Sequence, residues 1–158
     1  MRRCVYIVSM LRPANSARPP YAVLLVEDDP ADALLMEEAL SRPGLARTVG
    51  RAGDGVAALE YLRDPANPRP DLIVLDLNMP RMNGRELLGA LKEDPRLRAI
   101  PVVVLTTSGA PDDVRSAYLR HANAYVVKPI DLDEFIHVVR SIDAFFLETA
   151  VNPPPAEE

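Results

Sequence analysis

An α/β fold with one parallel sheet of about five strands, covered by helices on both faces, is what the sequence predicts. Three observations point there. Short apolar runs alternate with stretches of helical periodicity along the chain. The runs "LIVL" (Leu72 to Leu75) and "VVVL" (Val102 to Leu105) do not alternate with polar residues, as expected of strands buried on both sides. A length of 158 residues, 48% hydrophobic and 26% charged, suits one soluble globular domain with a real core.

The first strand is "AVLLV", Ala22 to Val26. Asp29 caps and Pro30 opens a helix that carries Leu34, Leu35, Ala39 and Leu40, and Gly44 suits the turn after it. The polar run "RTVGRA", Arg47 to Ala52, reads as an edge strand. Asp54 caps a second helix holding Ala57, Ala58, Tyr61 and Leu62. "LIVL" is the third strand, and an Asn83–Gly84 turn leads to a helix with Leu87, Leu88 and Leu91. "VVVL" is the fourth strand. Thr107 and Ser108 then supply loop and cap before Asp112 and Asp113 start the fourth helix. "AYVV", Ala124 to Val127, is the fifth strand. In the last helix Phe135, Val138, Val139, Ile142 and Phe146 fall on one face, with Ile136, Phe145 and Leu147 left over as candidate interface area.

The flanks differ from this pattern. Residues 1–20 read as a flexible arm, 21–148 as the folded domain, and 149–158 as a Pro-rich acidic tail. "MRRCVYIVSML" superficially resembles a signal peptide, yet its apolar part is short and no small-residue cleavage site follows. The polypeptide start falls at Met1 or at Met10. No stretch is long enough to span a bilayer, so a cytoplasmic location without membrane association is expected. A net charge of −5 with no basic run argues against unassisted nucleic-acid binding. One cysteine, Cys4, excludes an internal disulfide and a cysteine-based metal cage.

This pattern predicts the flavodoxin-like sheet order 2-1-3-4-5, doubly wound. There the first and third strands are neighbours, the chain reverses direction between them, and ligands bind outside their carboxyl ends. Glu27 and Asp28 end the first strand and Asp76 ends the third, so these acids should share one crevice. Gathered carboxylates repel one another unless a cation arrives. Hard oxygen donors without His or Cys select Mg²⁺ or Mn²⁺ over zinc, and Mg²⁺ keeps open positions for phosphate oxygens. Thr106 and Lys128 end the fourth and fifth strands at the same edge, where a hydroxyl and an ammonium suit a phosphoryl group. The constellation fits phosphoryl transfer to a carboxylate nucleophile. A phosphatase with an aspartyl nucleophile usually has a second aspartate two residues on, where this chain has Asn78. A flavin carrier lacks its phosphate-cradling loop here, and the acids would repel the FMN phosphate. His121 and His137 have no partner at metal-ligand spacing and read as structural or exposed.

Together, "VLLVED", "DLIVLDLNMPRMNG", "IPVVVLTTS" and "AYVVKPID" closely resemble the receiver domain of two-component response regulators, from about Tyr21 to Phe146. The resemblance implies that Asp76 is the phosphoacceptor. It implies that Asp28 ligates Mg²⁺ directly, Glu27 through water, and that Asp76 and the backbone carbonyl of Asn78 complete the protein ligands. It makes Thr106 the switch hydroxyl, Tyr125 the switch aromatic and Lys128 the family lysine, followed by a Lys128–Pro129 bond that is typically cis. Glu27 stands where an aspartate is common, and Asp29 is better explained as the helix cap. The implied partner is a sensor histidine kinase. The implied chemistry is self-catalysed transfer to the chain's own aspartate and slow autodephosphorylation, not turnover of a free substrate. With only a short tail after the last helix, a stand-alone receiver is expected, signalling through a surface or serving as a phosphate sink or relay. The wording is most similar to single-domain regulators paired with bacterial phytochrome kinases, which are often homodimers.

Overall fold

The computed structural model describes residues 21–41 and 47–154. The arm, Cys4, Gly44 and the end of the tail lie outside the described residues. The order is β1 (Tyr21–Val26), α1 (Pro30–Leu40), β2 (Arg47–Ala52), α2 (Gly55–Arg63), β3 (Leu72–Leu75), α3 (Gly84–Glu93), β4 (Val102–Thr106), α4 (Pro111–Leu119), β5 (Ala124–Val127) and α5 (Leu132–Asp143). A π-helical segment, Ala144–Thr149, continues α5. All strands are parallel, in the order β2-β1-β3-β4-β5. No helix among the described residues is long and apolar enough to cross a membrane.

Side chains alternate between the two faces of each strand, and both faces are covered. Leu24, Val26, Ile73, Leu75, Val102 and Val104 join one core, which Leu87, Leu88 and Leu91 of α3 complete. Val23, Leu25, Leu72, Val74, Val103 and Leu105 join the other, against Phe135, Val139 and Ile142 of α5. Two buried faces remove the polar half of the strand pattern, hence the unbroken apolar runs.

Local caps follow the sequence closely. Asp29 accepts from the amides of Ala31 and Asp32, Asp54 from Ala57, Asn83 from Glu86 and Asp131 from Glu134. α4 differs: its N-cap is Ala110, with no side-chain cap, and Ser108 lies two residues earlier. In α1 the inward residues are Ala33, Met36, Ala39 and Leu40, while Leu34 is exposed.

Two expectations need correction. The Lys128–Pro129 bond is trans, since the described residues contain no cis peptide; trans is the ordinary form even before proline. The second concerns the three apolar residues set aside on the last helix. Leu147 is fully buried, Ile136 packs partly against the core, and only Phe145 is exposed, in edge-on contact with Phe146. The cause is the wider π turn, whose i→i+5 bonding departs from the α-helical period and carries Leu147 inward.

Candidate functional site

The site lies at the carboxyl end of the sheet, where backbone bonds fix each strand terminus. The amide of Glu27 donates to the Ala52 carbonyl, that of Asp76 to Val26, and that of Lys128 to Thr106, at 3.0, 3.0 and 2.7 Å. Glu27, Asp28 and Asp76 each offer a carboxylate oxygen, and the three oxygens lie within 4.8 Å of one another. Glu27 and Asp76 are buried and Asp28 is exposed. An all-oxygen set of this kind, open at Asp28, fits a hard divalent ion that keeps part of its water shell.

Lys128 neutralises the same acids. Its buried ammonium donates to Glu27 Oε2 at 2.6 Å, Asp32 Oδ2 at 2.9 Å and Asp76 Oδ2 at 3.3 Å. Burial opposes its charge, but the hydrogen bonds to Glu27 and Asp32 and the charges of Glu27 and Asp76 hold it above the ordinary lysine value. Burial likewise pushes the Glu27 carboxyl up to about 7, with the Asp76 charge adding and Lys128 opposing. One ammonium does not fully balance acids buried this closely, so the pocket favours a second cation.

Thr106 is fully buried, and its hydroxyl has no hydrogen-bond partner. Buried hydroxyls are normally paired, so an orphan at the end of β4 suits a ligand oxygen. Asn78 donates its amide to Asp76 Oδ1 at 3.1 Å, which leaves its carbonyl available. Gly84 packs so tightly on the Asp76 backbone that an added Cβ would overlap the Asp76 carbonyl and Leu77 Cα. Tyr125 is half-buried on β5, and its phenol donates to the Ser108 carbonyl at 2.7 Å. Burial raises its ionisation above the ordinary tyrosine value.

Glu27, Asp28, Asp76 and Lys128 are thus together, and Thr106 and Tyr125 lie on the two strands that follow. Asp29 is spent on its cap, although its own amide donates to Glu27 Oε1 at 3.1 Å. Sequence reasoning missed Asp32. The available signal was its place one helical turn beyond Asp28, on a helix that starts at the same sheet edge.

The family model for the response regulator receiver domain matches residues 23–140. The response regulator Rcp1 of Synechocystis sp. is 41% identical over 144 residues, covering 89% of this chain and 98% of that protein. The probable methanogenesis regulatory protein FilR2 of Methanothrix harundinacea is 41% identical over 143 residues, with 89% and 92% covered. Among solved structures, the phosphorylated cyanobacterial phytochrome response regulator RcpA superposes with a TM-score of 0.82 at 43% identity, covering 86% of this chain and all of that one. The Mn²⁺-bound form of Rcp1 gives 0.81 at 42% identity, with 85% and 100% covered.

Proposed function

The chain belongs to the response regulator receiver domain family and is related to the phytochrome response regulators Rcp1 and RcpA; from that premise we propose that Asp76 accepts a phosphoryl group from the phosphohistidine of a partner sensor kinase. One observation carries the reading: Asp76 shares its buried edge with two other carboxylates, the Lys128 ammonium and the orphan hydroxyl of Thr106.

A carboxylate oxygen of Asp76 attacks phosphorus in line as the P–N bond to the kinase imidazole breaks. The bonding pair leaves with the imidazole nitrogen. Glu27, Asp28 and Asp76, with the Asn78 carbonyl, would hold the Mg²⁺, which supplies charge neutralisation for the phosphoryl oxygens. That the related Rcp1 has a Mn²⁺-bound form supports a divalent ion as the partner of these acids. Lys128 balances a further phosphoryl oxygen, and Thr106 donates its hydroxyl to another. The chain's own residues therefore carry out transfer and slow autodephosphorylation.

The modification adds about −1.5 to −2 charge at the end of β3. Drawing Thr106 toward it opens space beside Tyr125 and biases α4, β5 and the start of α5 between two arrangements. The exposed side chains there, Leu119, Val127, Ile130 and Leu132, form the output surface. A bacteriophytochrome kinase as donor, a cytoplasmic location and a homodimer complete the proposal; exposed Phe145 supports the last.

Incubating the protein with acetyl phosphate and Mg²⁺ tests the reading. Labelling that requires Mg²⁺ and vanishes in Asp76→Asn is expected; labelling that persists in Asp76→Asn removes the assignment.

A further inference from the structure

Arg85 sits in the first turn of α3, immediately after the Gly84 that packs on the Asp76 carbonyl. A cation at the positive end of a helix dipole is unfavourable unless a carboxylate offsets it. Here one does. Arg85 Nη2 donates to Asp113 Oδ1 at 2.5 Å, across to the first turn of α4, and both side chains are about seven-tenths shielded (29% and 28% exposed).

The second oxygen of Asp113 accepts from the Ser108 hydroxyl at 2.5 Å. Ser108 is a junction. Its hydroxyl also accepts from the Ala110 amide at 3.3 Å, and its carbonyl accepts from the Tyr125 phenol. It lies two residues beyond Thr106, in the turn that joins β4 to α4. α4 has no side-chain cap on its N-cap residue, and Asp113 in its first turn instead bonds Ser108 in the preceding turn. The Ser108 and Arg85 hydrogen bonds hold the Asp113 carboxyl below the ordinary aspartate value.

We propose that Arg85 is a positioning residue: through Asp113 and Ser108 it ties the helix that backs Asp76 to the segment bearing Tyr125, a coupling line separate from the Thr106 hydroxyl. The signalling role of the line rests on the receiver reading above. Its mechanical part does not: with the Arg85–Asp113 pair removed, the Ser108 carbonyl shifts, and Tyr125 loses its fixed acceptor even in unphosphorylated protein.

The test uses the full chain carrying 3-fluorotyrosine, with the Tyr125 resonance assigned by its loss in Tyr125→Phe. Arg85→Gln, Asp113→Asn, their double variant and Arg85→Lys are compared before and after acetyl phosphate with Mg²⁺. Before phosphorylation, the two single variants should each shift the Tyr125 signal, changing the docked-to-undocked ratio roughly five-fold or more. The double variant should match Asp113→Asn alone, because Arg85 acts only through Asp113, and Arg85→Lys should restore part of the docked signal. Labelling of Asp76 should persist in all four. A Tyr125 signal unmoved in both Arg85→Gln and Asp113→Asn overturns the inference, as does full additivity in the double variant. Absence of labelling in the unsubstituted protein would instead overturn the phosphoacceptor reading, and the Tyr125 comparison in unmodified protein would still stand.

Discussion

Lys128 holds Glu27, Asp32 and Asp76 with one buried ammonium, so its removal exposes mutual repulsion among the acids. Lys128→Met should destabilise the metal-free protein by about 3 kcal/mol or more, the usual cost of stripping one partner from a buried ion pair. Mg²⁺ should bind this variant more tightly, because the competing cation is gone. Denaturant melts with and without Mg²⁺ check both, and an unchanged midpoint in metal-free buffer would contradict them. Arg81 poses a different balance. It takes a left-handed backbone (φ 60°) and donates to Asp54 Oδ2 at 2.6 Å, while its side chain stays 60% exposed. Arg81→Gly relieves the strained left-handed backbone and loses only an exposed, solvent-screened pair. Its midpoint should therefore stay within experimental error or rise slightly. The Arg81 hydrogen bond holds the Asp54 carboxyl below its ordinary 3.8. A depressed acid stabilises the fold above its ordinary value and loses that contribution as pH falls through the lowered one. Asp54→Asn keeps a good cap and should flatten the acid limb of the stability curve below about pH 4.

At the scale of elements, the end of α5 is the informative departure. Arg47 on the edge strand β2 donates to Asp143 at 2.8 Å and Glu148 at 3.2 Å, with its guanidinium carbon 5.8 Å from the centre of the Tyr21 ring. Asp143 and Glu148 are five residues apart, a spacing that an α-helix puts on different faces and a π-helix brings together. The bifurcated grip thus favours the π turn that buries Leu147. Arg47→Met takes the guanidinium from beside the fully buried Asp143 carboxylate and should lower the melting midpoint. Hydrogen exchange should then quicken at Phe145 to Ala150, with little change in α3. Equal protection in both proteins would show that the π turn needs no such anchor. None of this was legible beforehand. Arg47 and Asp143 are 96 residues apart, ion pairs leave no periodic trace, and an apolar stripe does not distinguish i→i+4 from i→i+5 bonding over one turn.

Across the whole molecule, the legible parts are those set by repetition. Two-faced burial of β1, β3 and β4 wrote itself into unbroken apolar runs, and the alternation of strand and helix fixed the parallel sheet with β1 beside β3. That adjacency brings Glu27 and Asp28 to Asp76, which is why the acids could be grouped from residue type and position in the chain alone. Contacts requiring side-chain reach, such as Asp32 to Lys128 or Asp113 to Ser108, needed coordinates. The surface also divides unevenly. Large exposed apolar residues collect on α4, β5 and the start of α5 (Leu119, Val127, Ile130 and Leu132), whereas α3 buries all its leucines. Ile130→Asp should leave the melting midpoint unchanged, since the side chain is fully exposed, while weakening whatever interaction this surface makes in the phosphorylated protein.

The central claim is that acids from two adjoining strands share a divalent ion and that one of them, Asp76, accepts phosphorus. Reductive trapping tests it most directly: borohydride treatment of protein incubated with acetyl phosphate converts an acyl phosphate to an alcohol, and peptide mass mapping locates it. The account predicts reduction at Asp76 alone, dependent on Mg²⁺ and absent after chelation. Reduction at Glu27, Asp28 or any other carboxylate in place of Asp76, or at Asp76 with equal yield in chelator, would contradict it.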